Sequence, residues 1–407
     1  MHVALSGWFW NRPDTGSGQY LRHLLESLLH LHPEADFTLI APPAHVAATQ
    51  ALPGVHYLPV QTLSGPLGKV TWEQVALPRA ARRVGADLLH VPYWAPPVAP
   101  TVPTVITVHD LIPLLLTPYR GGPGVRLYTA LVVGATSRAD LILTDSESSR
   151  VDIMDYLRVP PERVISVPLA VEVEYTAEPA AEDSEVLARL GLAPGYVLYL
   201  GGFDVRKNLE AVFGTFALAH QALGEEARLV VAGRLPAQDT AFTPHPQRLV
   251  REVGLNEEAV RFVGFVPERE KPALYRAARA FIFPSRYEGF GLPPLEALAC
   301  GVPVLGSHAA SLPEVVGAAG VLTDPEDIAG MAGALIQLLI DESFYTRLRR
   351  RALEQAARFS WQATAERTWD AYRRVSPCSG GFGGLGANQH ARDKANHKYR
   401  EESKDDE

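Results

Sequence analysis

Residues 281–304, FIFPSRYEGFGLPPLEALACGVPV, read as a strand, a glycine loop, a helix and a second strand in immediate succession. Phe281 to Phe283 are apolar, and Pro284 turns the chain out of the strand. Glu288 precedes the loop Gly289-Phe290-Gly291-Leu292, and a helix opens at Pro293-Pro294 with Glu296 in its first turn. Cys300-Gly301 closes that helix, and Val302 to Leu305 is the next apolar run. Where such a helix starts, free backbone N–H groups meet the positive end of the helix dipole, which makes an anion site. Two carboxylates beside an anion site call for a further partner, and hydroxyl donors suit them. Taken singly, Glu296 reads as a residue that favours a helix start and Glu288 as a solvated loop residue. Their occurrence together with the glycines and prolines, directly after a strand, is what points to a ligand.

The same alternation runs through the chain. His2 to Ser6 is a strand, a loop spans Gly7 to Gly18, and Ser17 to Leu31 has a helical stripe of Leu21, Leu24, Leu25, Leu28 and Leu29. Apolar runs recur at Phe37 to Ile40, Leu88 to Val91, Thr104 to Val108 and Leu141 to Thr144. Helical segments are expected at Thr71 to Val84, Val125 to Arg138 and Ser146 to Leu157, with Ser146 as N-cap. After a stretch rich in Ala, Glu and Pro the pattern restarts, with strands at Tyr196 to Leu200, Arg228 to Ala232 and Arg261 to Val263 and a helix from Lys207 to Leu223. Continuous β-branched runs alternating with helices imply parallel sheets covered on both faces. The expected organisation is an α/β N-terminal Rossmann-like domain over 1–171, a linker over 172–184, a second such domain over 185–359, a last helix over 360–376 and a disordered tail over 377–407.

Bulk properties narrow the class. The chain has 407 residues, 47% hydrophobic, and its net charge of −8 argues against a general nucleic-acid binder. Two cysteines, Cys300 and Cys378, far apart, fit a reducing compartment. MHVALSGWFW reads as a first strand and not as a signal peptide, and no apolar run approaches the ~18 residues that span a bilayer. The expectation is a cytoplasmic protein, with peripheral contact at the inner face of a membrane left open. Basic clusters at Arg79, Arg82 and Arg83, and at Arg347 and Arg349 to Arg351, read first as solvated helix faces and second as contacts to anionic lipid.

Three further places could carry chemistry. Arg206-Lys207-Asn208 follows the strand ending at Leu200. His109-Asp110 sits at the carboxyl end of the strand Thr104 to Val108, where parallel sheets bind ligands. Gly16-Ser17-Gly18 opens the first helix, with Trp8, Trp10 and Tyr20 near enough to stack on a ligand or to fill the core. The chain has no G-x-x-x-x-G-K-[ST] loop, no D-x-D triplet and no Cys/His cluster of zinc type.

Several blocks in order resemble the retaining GT-B glycosyltransferases of family 4. They are YVLYLGGFDVRKN at 196–208, FVGFVPEREKPALYRAARAFIFPS at 262–285, the pair of glutamates at 288 and 296 with seven residues between them, SLPEVVGAAGVLTDPED at 311–327, and FSWQATAERTWDAY at 359–372. The resemblance implies two Rossmann-like domains facing across a cleft, the last helix crossing back to the first domain. It implies that Glu288 contacts the hydroxyls of a donor sugar and Glu296 those of a ribose. Gly289 and the amides of Phe290, Gly291 and Leu292 would meet sugar and diphosphate, and Lys207, with Arg206 as a second cation, the diphosphate. Gly16 and Gly18 would approach that diphosphate from the opposite domain, and His109 and Asp110 would lie at the reaction centre, Asp110 orienting the imidazole or touching the acceptor. The resemblance thus implies a nucleotide-sugar donor, a glycan or glycolipid acceptor, no cofactor and no metal. VHDLIPL and SLPEVVG look most like bacterial mannosyltransferases, which favours GDP-mannose over UDP-glucose or UDP-N-acetylglucosamine. A sugar-nucleotide epimerase, a phosphorylase and a non-catalytic nucleotide-sugar binder are the rival readings.

Overall fold

The computed structural model describes residues 1–12, 15–47, 51–63, 65–256 and 258–376; the tail expected to be disordered, 377–407, lies outside the described residues. Among the described residues, thirteen strands form two sheets. The first holds β1 (His2–Ser6), β2 (Asp36–Ala41), β3 (Val55–Pro59), β4 (Leu88–Val91), β5 (Thr104–Thr107), β6 (Leu141–Thr144) and β7 (Val164–Ser166), in the order β3-β2-β1-β4-β5-β6-β7. The second holds β8 (Tyr196–Leu200), β9 (Leu229–Ala232), β10 (Val260–Gly264), β11 (Ala278–Phe283), β12 (Val304–Ser307) and β13 (Gly320–Thr323), in the order β10-β9-β8-β11-β12-β13. Every pairing is parallel. Each return connection therefore needs a crossover, and helices supply most of them.

In the first lobe these helices are α1 (Gly16–Leu31), α2 (Pro43–Ala47), α3 (Pro66–Thr71), α4 (Leu77–Arg83), α5 (Ile112–Leu115), α6 (Pro123–Thr136) and α7 (Glu147–Leu157). In the second they are α8 (Asp183–Leu190), α9 (Leu209–Leu223), α10 (Pro246–Glu252), α11 (Lys271–Ala277), α12 (Leu292–Ala299), α13 (Leu312–Val316), α14 (Ile328–Ile340) and α15 (Glu342–Ala356). Both sheets change winding direction beside their first strand, between β1 and β4 and between β8 and β11. Ligands of open parallel sheets bind at that switch point, outside the carboxyl ends. The loops that leave β1, β5, β8 and β11 hold most of the chemistry-bearing residues picked out in the sequence.

The last helix, α16 (Trp361–Val375), leaves the second lobe and packs on α1 of the first. Thr364 Oγ1 donates to the Pro168 carbonyl at 2.7 Å, and Trp369 stacks on His32 with ring centres 4.0 Å apart. Tyr372 Oη meets His90 Nδ1 at 2.7 Å, His90 Nε2 meets Thr107 Oγ1 at 2.9 Å, and Tyr20 Oη reaches the same hydroxyl at 3.0 Å. Burial pushes the His90 pKa down to about 3, so the imidazole is neutral and can both donate and accept in this chain. Phe290 and Leu295 of the second lobe share one apolar cluster with Leu21, Leu25 and Tyr372, so the core runs across the domain boundary. Each such side chain is worth ~1.5–3 kcal/mol of apolar burial.

Three expectations need correction. The helix expected from Lys207 starts at Leu209, because Val205–Lys207 form a tight 3-10 turn and Asn208 takes a left-handed φ of 55°. Glu296 lies in the second turn of α12 and not the first, since Leu292 already begins the helix. The helix expected from Thr71 begins at Pro66 and carries a wide π turn over Trp72–Ala76.

Candidate active site

β8 and β11 are hydrogen-bonded neighbours, so the loops that follow them meet. Arg206 and Lys207 come from the first and Glu288 from the second. Glu288 Oε1 accepts from Lys207 Nζ at 2.7 Å and Ser285 Oγ at 2.6 Å, while Oε2 lies 2.5 Å from Arg206 Nη1. The carboxylate is only 8% exposed. Burial alone would raise its pKa, but Lys207 and Arg206 together hold it below the usual carboxylate range. Arg206 also donates to the Tyr287 carbonyl at 2.9 Å, with Asp204 3.6 Å from its Nε. Lys207 Nζ sits 4.6 Å above the Phe283 ring. Two cations are thus held at one point by carboxylates, which concentrates positive charge there.

The glycine loop packs closely against the first lobe. A Cβ on Gly289 would stand 2.4 Å from the His109 carbonyl and 2.9 Å from Asp110 Cβ. The Gly289 carbonyl accepts from Ser146 Oγ at 2.7 Å and from Ser149 Oγ at 3.0 Å. Ser146 is the N-cap of α7, as its sequence position implies, so one cap residue also ties the lobes together. At Gly291, φ is 116°, a conformation that glycine adopts without strain. The anion site at the start of α12 is leaner than the sequence argument supposes. Pro293 and Pro294 occupy helical positions without N–H groups, and Leu295 N bonds back to the Gly291 carbonyl. The amides left for an anion are those of Phe290, Gly291 and Leu292.

Glu296 projects elsewhere, into a narrow crevice of about 20 Å³ shared with Gly16, His23, Glu268 and Trp361. Tyr275 Oη donates to its Oε2 at 2.7 Å. Burial raises its pKa to about 7, Lys271 opposing and Glu268 adding to the rise. Gly16 and Gly18 separate in role. A Cβ on Gly18 would lie 1.9 Å from the Arg12 carbonyl, so the loop fold needs glycine there, whereas Gly16 is open on the cleft side.

Across the cleft, His109 Nδ1 is bonded to Asp145 Oδ2 at 2.7 Å. Burial would lower the His109 pKa, but the Asp145 carboxylate outweighs it and the shift is upward. His109 Nε2 is buried without a hydrogen-bond partner among the described residues. Asp110 does not orient the imidazole: its Oδ1 caps the following turn by accepting from Ile112 N at 2.9 Å. Asp145 was not singled out in the sequence, although it stands at the carboxyl end of β6, the strand beside β5. The rule that marks His109 marks Asp145 equally well.

The aromatic residues also divide differently. Trp10 is buried under Arg22 and beside Tyr57, and Tyr20 is buried with its hydroxyl on Thr107. Trp8 packs on His45 and Trp72. A cavity of about 280 Å³ next to His109 and Asp110 is walled instead by Phe9, Tyr93, Trp94 and Tyr128. Arg79, Arg82 and Arg83 are exposed on α4, where no described contact gives them a role.

Known proteins resemble this chain in sequence and in fold. The family described as Glycosyl transferases group 1 matches residues 189–357, and Glycosyltransferase Family 4 matches residues 15–175. O-antigen chain mannosyltransferase B of Escherichia coli is 36% identical over 66% of this chain and 70% of its own length. The chain belongs to the group 1 and family 4 glycosyltransferases. It is accordingly an enzyme of glycosyl transfer with the GT-B architecture. Serotype-specific mannosyltransferase WbdA of Escherichia coli is 34% identical over 67% of this chain, which spans 33% of that longer protein. A D-inositol 3-phosphate glycosyltransferase of Salinispora arenicola is 29% identical over 89% of this chain and 88% of its own length. Among solved structures, sucrose-phosphate synthase from Thermosynechococcus elongatus superposes with a TM-score of 0.72 over 92% of this chain and 99% of that one, at 21% identity. WaaG, a glycosyltransferase involved in lipopolysaccharide biosynthesis, does so with 0.67 over 93% and 100%, at 16% identity.

Proposed function

We propose that this glycosyltransferase moves mannose from GDP-mannose to a hydroxyl of a glycan or glycolipid, with retention at the anomeric carbon and without a metal. The observation that carries the proposal is the cluster of Glu288 with Arg206 and Lys207, set at the switch point of the second sheet and opposite His109 and Asp145. Departure of a nucleoside diphosphate builds negative charge where those two cations and the amides of residues 290–292 converge. Preorganised cations stabilise such a transition state without reorganisation. Glu288 accepts sugar hydroxyls in this reading and Glu296 those of the ribose, while a leaving phosphate oxygen takes the acceptor's proton on the same face. Mannose is favoured because relatives named as mannosyltransferases match at 34–36% identity. The enzyme would work in the cytoplasm, at the membrane face where a lipid-linked acceptor is presented.

A thermal-shift panel of GDP-, UDP- and ADP-sugars tests the donor. A selective ligand at 100 times its Kd adds ~2.7 kcal/mol of apparent stability. GDP-mannose should stand out, and an equal response to UDP-sugars would remove the base assignment. Transfer should persist in excess EDTA, and loss of turnover there would overturn the metal-free mechanism.

A further inference from the structure

The cavity beside His109 and Asp110 differs in character from the cationic donor side. Its wall is aromatic, and every polar tip on that wall is already bonded. Tyr93 Oη meets Ser6 Oγ at 3.2 Å, Trp94 Nε1 donates to Thr136 Oγ1 at 2.9 Å, and Tyr128 Oη donates to Glu73 Oε2 at 2.8 Å. Phe9 packs edge to face on Tyr93 with centres 5.0 Å apart. What such a wall offers a ligand is rigid aromatic carbon, which suits the weakly positive C–H face of a pyranose ring. Hydroxyl partners stand at the rim in Ser17, Thr129 and Asp110. The Asp110 carboxylate keeps lone pairs beyond the one that Ile112 uses.

Charge decides what else could enter. Among the described residues, no lysine or arginine lines this cavity. Lys69 lies behind the wall, its ammonium 5.0 Å over the Tyr128 ring, 5.9 Å over Tyr93 and 6.0 Å over Phe9, and it is paired at 3.6 Å with Glu73, a fully buried carboxylate. Arg206, whose charge Asp110 feels from across the cleft, is bonded to Glu288. His109 is paired with Asp145. Of the two carboxylates nearest the cavity, Asp145 is paired with His109 and Asp110 lines the space itself, so an anionic group placed beside Asp110 would be desolvated next to a like charge.

We propose that the acceptor end bound here is a neutral saccharide, a pyranose held against Phe9, Tyr93, Trp94 and Tyr128 with its attacking hydroxyl toward Asp110 and His109, and not a phosphorylated polyol. This rests on the transferase reading above and separates the chain from those of its relatives named for D-inositol 3-phosphate.

The test is ligand-observed saturation-transfer NMR on the full chain with GDP present, using methyl α-D-mannopyranoside and D-myo-inositol 3-phosphate as probes. The mannoside should bind about tenfold more tightly than the inositol phosphate. Trp94→Ala should weaken mannoside binding about tenfold, with Trp94→Phe recovering most of the loss. Thr129→Lys should raise affinity for the inositol phosphate several-fold. Equal or tighter binding of the inositol phosphate to the unaltered protein would overturn the proposal, as would a folded Trp94→Ala protein with unchanged mannoside affinity. The donor panel is read separately. Mannoside binding with a silent donor panel sinks the donor reading alone, while donor binding with no mannoside signal sinks the acceptor pocket alone.

Discussion

Glu288 and Glu296 are one residue type, both buried to 8% exposure, and their surroundings push them in opposite directions. Glu288 has two cations within 2.7 Å and titrates below the usual range. The stability it contributes is therefore present above its unfolded pKa and is lost as pH falls through the depressed folded value. Glu296, at about 7, behaves the other way: its contribution is full below the unfolded value and lost as pH rises through 7. Glu296→Gln keeps an acceptor for Tyr275 and removes that loss. Its unfolding free energy at pH 8 should exceed that of the unaltered protein by on the order of 2–3 kcal/mol, with the difference vanishing near pH 4. Denaturant titrations at the two pH values measure this, and equal stability at pH 8 would refute the buried, proton-holding state. Asp145→Asn should lower the His109 pKa, read by NMR titration of the imidazole. At this scale Lys207, Glu288 and His109 were legible in the sequence, because each follows a strand at its carboxyl end. The Glu288 pairing was not, because it joins residues 81 positions apart through two strands whose adjacency the sequence does not state.

The strands β8 and β11 and the helix α12 were legible as elements because their apolar runs are continuous and bounded by Gly and Pro. What was not legible was how tightly the loops between them are drawn. Asn208 ends the turn at Lys207 by taking a left-handed conformation, and nothing in a helical reading from residue 207 requires that. Gly289 illustrates the same limit. Its glycine looks like loop flexibility in one dimension, yet in the fold it is the place where two lobes pass within a methyl group of each other. Gly289→Ala should leave the melting temperature of each lobe nearly unchanged and lower kcat/KM roughly a hundredfold, about 2.7 kcal/mol of closure and positioning. Steady-state kinetics beside calorimetry tests this; unaltered kcat/KM would show that the closed contact is not the working one.

At the scale of the molecule, side chains of each lobe cap backbone of the other. Glu314 of α13 accepts from the N–H groups of Glu147 at 2.8 Å and Ser148 at 2.7 Å, at the first turn of α7, and Tyr287 Oη donates to Asp152 at 2.6 Å. Carboxylates are favourable at helix N-termini, so these contacts favour the closed form. Because Glu314 is exposed, its removal should cost about 1 kcal/mol, roughly fivefold in the ratio of closed to open protein. Glu314→Ala should therefore enlarge the radius of gyration in small-angle scattering without ligand and recover the compact value with donor bound; identical profiles would show that closure does not depend on this cap. The α16 helix has a mechanical consequence as well. The polypeptide passes from one lobe to the other after β7 and returns just before Trp361, and the neutral Tyr372–His90–Thr107–Tyr20 chain fastens the returning end. Two anchored crossings define an axle. Swinging about it bends both connections slightly, whereas sliding or shearing would have to stretch them, so the lobes move as a door moves on paired hinges. Gly289 and His109 are then the latch edge of that door, and a small rotation at the axle opens the cleft between the lobes.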